Sequence, residues 1–177
     1  MNRQWLVAWV GLVLLVACES AEEAPEQPRL SGGVWNLEAA SVQASGSAML
    51  PGSPIAIPVS LTGTGEQYQM SVTFAEDPQS VEATGGFVFS VEVSTAGLPL
   101  RTERFPIQGS DRFTGNWELR DGQLRMQDLD DSFVMEVLEF TDNRLRVATV
   151  PDVSDFEEFD LEGVTVGEAR AEFLLTR

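Results

Sequence analysis

From about residue 30 onward, apolar and polar positions alternate. Tyr68, Met70, Val72 and Phe74 are interleaved with Gln69, Ser71 and Thr73, and Phe87, Phe89, Val91 and Val93 with Val88, Ser90 and Glu92. Phe113, Gly115, Trp117 and Leu119 are interleaved with Thr114, Asn116 and Glu118. Leu145, Val147 and Thr149 face Arg146 and Ala148, while Ala171, Phe173 and Leu175 alternate with Arg170, Glu172 and Leu174. Successive side chains of a strand point to opposite faces, so each stretch predicts a strand with one dry and one wet side. Ile55, Ile57, Val59 and Leu61 continue the pattern with Pro58 in the opposite phase; a proline lacks the N–H that a ladder uses, which predicts an edge or entry strand. The stretch SFVMEVLEF at 132–140 keeps no single phase, as a bulge or a strand apolar on both faces would explain.

The segments between these runs are turn-like. GTGE, TGG, AGLP, RDGQ and TDNR separate the apolar stretches, and Asp121-Gly122 and Asp142-Asn143 suit tight hairpins. No helix of three turns is predicted beyond residue 30. Eight to ten short antiparallel strands with mostly short connections mean a sandwich or a barrel, and successive hairpins favour an up-and-down meander. A meander of this length removes its exposed edges by closing on itself. The predicted fold is therefore all-β, a closed barrel over residues 30–177.

Two five-residue phrases repeat across that region, GVWNL at 33–37 and GNWEL at 115–119. In each, the glycine lies two positions before the tryptophan and on the same face, and is expected to leave room for the indole at a crowded barrel end. Trp35 with Leu37, and Trp117 with Leu119, then share the interior. Gly33-Val34-Trp35 near the start of the first strand resembles the lipocalins, and more closely the lipocalin-like domains of bacterial lipoproteins. The block FTGNWELRDGQLRMQD followed by FVMEVLEFTDNRLRVATV resembles the late strands of that family. The resemblance implies an arginine of the last strand, or just beyond it, packed over the first-strand tryptophan; Arg170 and Arg177 are the candidates.

The N-terminus changes the picture from a free domain to an anchored one. Arg3 precedes the apolar run WLVAWVGLVLLVA, too short for a confident transmembrane span, and Leu15-Val16-Ala17-Cys18 follows. This resembles a bacterial lipobox, which implies a signal peptide over 1–17, acylation of Cys18 and cleavage before it. Two or three acyl chains make a durable membrane anchor where one is marginal. Residues 18–29, with ESAEEAPEQP after the cysteine, are expected to be an acidic disordered tether. Acidic residues just after the cysteine resemble the surface-export signal of some outer-membrane lipoproteins of the Bacteroidota. The expected location is the cell envelope, in the outer membrane, on either its periplasmic or its surface face.

Charge and composition narrow the chemistry. The chain carries 28 acidic residues against 11 basic ones, all arginine, and no histidine. Loss of Arg3 with the signal leaves ten bases, and 10 − 28 gives a net charge of −18. Such a field repels nucleic acid. Acidity without lysine suits a high-salt habitat, where salt screens like-charge repulsion. The single cysteine excludes an intrachain disulfide, and the absence of histidine removes the commonest general base and metal ligand. The carboxylate-dense stretches DLDD at 128–131 and DVSDFEEFDLE at 152–162 lack the spacing and glycine of an EF-hand loop and read as solvated loops. No phosphate loop or nucleophile motif is present, so no enzyme, cofactor or metal is expected.

Two functions remain. In the first, the barrel holds a small apolar ligand against a lining that includes Tyr68, Phe89 and Trp117. In the second, bulky inward residues fill the barrel, and the protein is a structural or interaction module of the envelope. An eight-stranded barrel permits either.

Overall fold

A computed structural model describes residues 28–49, 52, 54–111, 113–127, 132–152 and 163–177. Eleven strands are found among them, in chain order β1 (Val34–Met49), β2 (Ala56–Glu66), β3 (Ser71–Glu76), β4 (Gln79–Thr84), β5 (Gly86–Thr95) and β6 (Leu98–Gln108). A single 3₁₀ turn (Gly109–Asp111) leads to β7 (Thr114–Arg120), β8 (Gln123–Gln127), β9 (Ser132–Phe140), β10 (Arg144–Thr149) and β11 (Val164–Thr176). All ladders are antiparallel, and β11 pairs with β1, so the order β11-β10-β9-β8-β7-β4-β3-β1 closes into an eight-stranded barrel. The expected closed all-β barrel is present. The three remaining strands leave it. β2 pairs with the second half of β1, from Ser41↔Thr64 to Met49↔Ala56, and β5 and β6 follow outward.

The long first strand makes this possible. Its first residues pair with β3 (Val34↔Thr73 to Asn36↔Ser71) and its later ones with β2, so one edge of β1 serves two sheets in turn. At the fork, Leu37 N donates to Met70 O at 3.0 Å and Ala40 N donates to the Tyr68 hydroxyl at 2.9 Å. A side-chain oxygen thus stands in where neither neighbouring strand supplies a carbonyl. The stretch GTGE, expected as a turn, lies instead at the end of β2. A Cβ at Gly63 would collide with the Phe89 ring and Val42, and one at Gly65 with the Tyr68 ring. These glycines are strand residues that yield space to aromatic side chains, and sequence cannot distinguish that use from a turn.

The alternation predicts the buried face. Met70, Val72, Phe74, Phe87, Val91, Val93, Phe113, Trp117, Leu145, Val147, Ala171 and Leu175 are all buried. They form two clusters, one inside the barrel and one on the extension, the latter around Val42, Val59, Leu61, Val91 and Val93. Phe89 packs against both. The irregular phase of β9 is a bulge: Arg146 faces Glu139 but Val147 faces Val137, so Leu138 is skipped. Pro58 lies inside a strand flanked on both sides, yet the β2–β5 ladder begins only at Ser60↔Ser94. Its carbonyl accepts from Thr95 Oγ1 at 2.9 Å, which places the missing N–H beyond the end of that ladder. β2 is thus an interior strand, not an edge, and the proline is tolerated because it precedes the first β2–β5 pair.

Candidate functional site

Hairpins at Asp77-Pro78, Asp121-Gly122 and Asp142-Asn143 meet the start of β1 and the end of β11 at one end of the barrel, here called the lower end. Asp121 and Gly122 have φ of 52° and 74°, the left-handed pair that a tight hairpin demands. The lower end is closed from within. Trp35 is fully buried, and its Nε1 donates to Leu30 O at 2.7 Å. Leu30 is itself buried in the barrel cluster, so the chain before β1 forms part of the floor. Arg177, the residue after β11, lies over the Trp35 ring with Cζ 4.5 Å from the centroid. Its Nη1 donates to Ser31 O at 3.1 Å, its Nε to Asp142 O, and its backbone N to Asn143 O. Of the two candidate arginines, Arg177 covers the tryptophan; Arg170 pairs with Glu136 and Glu172 on the outer face.

This arrangement revises the role of Gly33. Its missing side chain makes room for Arg177, whose Cδ would lie 3.2 Å from a Cβ there. Gly115 serves a different need, since its φ of 105° is one that side-chain-bearing residues avoid. The repeated phrase therefore marks two barrel strands by two different glycine requirements. Both tryptophans are inward and both indoles donate to a backbone carbonyl, Trp117 Nε1 to Ala75 O at 2.8 Å.

The three candidate lining residues are engaged by their neighbours. Tyr68 bonds Ala40 N and stacks on Phe87 at 5.8 Å between centroids. Phe89 meets Phe87 edge to face at 6.0 Å and occupies the space left by Gly63. Trp117 meets Phe74 edge to face at 5.7 Å. Further aromatic contacts link Trp35 to Phe140 and Phe113 to Phe173. Trp117 belongs to the barrel cluster with Phe74, and Tyr68 and Phe89 pack against the same cluster, Phe89 also touching the extension.

A groove of about 550 Å³ opens at the lower end, lined by Pro28, Leu30, Glu76, Gln79, Trp117 and Leu119, with Arg29 and Glu118 also on its walls. It forms where β4 and β7 separate. Their ladder has two residue pairs, Val81↔Gly115 and Glu82↔Thr114, against six between β3 and β4 and five between β7 and β8. Below Val81 and Gly115, the ladder has no further pairs among the described residues. The sequence singled out Trp117 but gave no sign of Leu30, Glu76 or Gln79, because the groove depends on where a ladder stops. The positive φ of Gly115 is the nearest local signal.

Ion pairs cover the outside of β9–β11: Arg144–Glu139, Arg146–Glu172 and Arg170–Glu136. The hydrogen bond from Arg146 holds the Glu172 carboxyl below its usual range. Among the described residues, no three acidic or cysteine side chains gather as a metal-binding group, and no helix is long and apolar enough to cross a membrane. Cys18, the signal, most of the tether, the 128–131 stretch and all of 152–162 except Asp152 lie outside the described residues. Comparison with protein-family models, curated proteins and solved structures finds no match.

Proposed function

We propose that this chain is a lipid-anchored, lipocalin-like protein of the bacterial envelope whose barrel is a filled scaffold, and that it works through its outer surface as an interaction module. One observation carries this reading: Tyr68, Phe89 and Trp117, the residues best suited to line a ligand site, are each held in contacts that maintain the fold. A tyrosine hydroxyl already bonded to Ala40 N at the fork of β1 is costly to redirect toward a ligand. The buried Met135, Leu124, Leu145, Leu175 and Trp35 fill the same interior. Arg177 over Trp35 supports the lipocalin-like reading, because the resemblance implied that contact. Acylation at Cys18 places the protein in the membrane, with the outer membrane favoured by the acidic residues that follow. The protein performs no catalysis and needs no cofactor.

The competing reading is a small apolar ligand inside the barrel. It draws on Met70, Met126 and Met135, since methionine walls adapt to irregular ligands. Titration of the mature protein with a fluorescent fatty acid separates the two. No saturable uptake is expected. Stoichiometric uptake that Trp117→Arg abolishes without loss of fold would replace the filled scaffold with a carrier.

A further inference from the structure

The chain enters the barrel at a pinned point. Leu30 is buried in the barrel cluster, its carbonyl accepts from the Trp35 indole at 2.7 Å, and the Ser31 carbonyl accepts from Arg177 at 3.1 Å. The Ser31 hydroxyl donates to Glu76, beside the β3–β4 hairpin. Any restraint on the upstream chain therefore acts on the lower end. Pro28 lies ten residues after Cys18, and a chain of that length reaches at most about 35 Å. The molecule is longer than that. β1 has 16 residues, about 50 Å of strand from Val34 at the lower end to Met49 at the tip of the extension. An anchor at Cys18 keeps the lower end near the lipid, and a molecule inverted onto its tip would need the full reach of the tether.

Charge is divided in the same sense. Arg29, Arg120, Arg144 and Arg177 stand at the lower end, in its hairpins and at the two chain ends, with Glu76, Asp77, Asp121 and Asp142. Four charges of each sign cancel. Of the 28 acids, four lie in residues 19–27 and these four at the lower end, so 28 − 8 leaves 20 for the rest of the domain. The ten arginines after the signal leave 10 − 4, or six, to offset them. Six of the 20 acids lie in 152–162, a stretch that leads into Gly163, whose carbonyl accepts from Met49 N at 2.9 Å at the tip. An anionic lipid surface therefore repels the flanks and the extension but not the lower end.

The apolar surface of the tip is then presented outward. Met49 pairs with Ala56, and Thr95, the partner of Leu98, donates to Pro58 O, which brings Met49, Ile55 and Leu98 to one end of the extension. All three are exposed.

We infer that the lower end of the barrel rests against the anionic lipid surface that holds the Cys18 anchor, and that the extension stands away from it with Met49, Ile55 and Leu98 outermost. This rests on the lipid-anchor reading and gives the lower end its partner, a lipid surface.

The test uses the mature, acylated protein in vesicles of phosphatidylethanolamine and phosphatidylglycerol. Acylation occupies the Cys18 thiol, so Gln123→Cys in the β7–β8 hairpin and Leu98→Cys in the β5–β6 hairpin each take a single dye, both at exposed positions. Energy transfer to a headgroup-labelled lipid is expected to be several times more efficient from position 123 than from position 98. Equal transfer from the two, the result for a molecule lying flat, would overturn the proposal. So would greater transfer from position 98, which would put the tip in the lipid. Both of those results leave the anchor reading standing. That reading fails separately if the mature protein does not float with the vesicles, and the proposal then falls with it.

Discussion

The guanidinium of Arg177 lies over the indole of Trp35, with Cζ 4.5 Å from the ring centroid, and so joins the last residue of the chain to the first strand of the barrel. Gly33 makes the contact possible and Ser31 and Asp142 hold it, through their backbone carbonyls. The contact closes the lower end over a core that is continuous from Trp35 to Met135.

Arg177→Ala should therefore destabilise the fold by about 1–2 kcal/mol, the range of a partly desolvated cation–π contact. Arg177→Lys should recover only part of that loss, because an ammonium lacks the planar fork that reaches two carbonyls at once. Denaturant midpoints measure both. Equal stability of wild type and Ala variant would show that the cap contributes nothing.

Tyr68→Phe tests the fork in β1. It keeps the ring and its stacking on Phe87 but removes the acceptor of Ala40 N. Leaving that part-buried donor unpaired should cost about 1–3 kcal/mol. Gly63→Ala, which pushes a methyl against Phe89 and Val42, should cost about as much by overpacking. A neutral result for both would mean that the β2 junction relaxes freely.

These two positions show what the sequence made legible and what it did not. Period-two alternation found the inward residues of β3, β5, β7, β10 and β11, because burial on one face leaves a pattern. It missed most of β1, where Ala40, Ala44 and Ala48 supply little apolar contrast and three strands pair with the one. It also missed β6, whose inward face carries Arg101 and Glu103. The function of Gly63 and Gly65 depends on rings from elsewhere in the chain, so GTG could pass for a turn. The groove was illegible for the same reason: it is produced by a ladder ending between two strands distant in sequence.

Acid titration should show the Arg146–Glu172 pair. Because Glu172 titrates below its usual range in the folded state, its contribution is fully present above the unfolded carboxylate value. It is lost as pH falls through the lower, folded one. Glu172→Gln should thus lower the melting temperature slightly near neutral pH and converge with wild type in acid. The effect is small because both side chains are partly exposed to solvent. A constant gap across the titration would assign the loss to packing instead.

With 28 acidic residues against 11 basic, like-charge repulsion should make the protein more stable in molar salt than in dilute buffer. A melting temperature that is flat or falls with salt would remove the high-salt explanation for the composition.

Lipidation is tested by Cys18→Ala, expected to abolish labelling by a fatty-acid analogue and to leave the uncleaved precursor in cells. Labelling that survives the substitution would place the acyl group elsewhere.

The filled scaffold faces its most direct test in native mass spectrometry of the mature protein extracted from its own envelope. The expected mass is that of the polypeptide from Cys18 with its anchoring acyl chains and nothing more. A discrete additional mass of small-molecule size, retained by the folded protein and released on unfolding, would contradict a filled barrel.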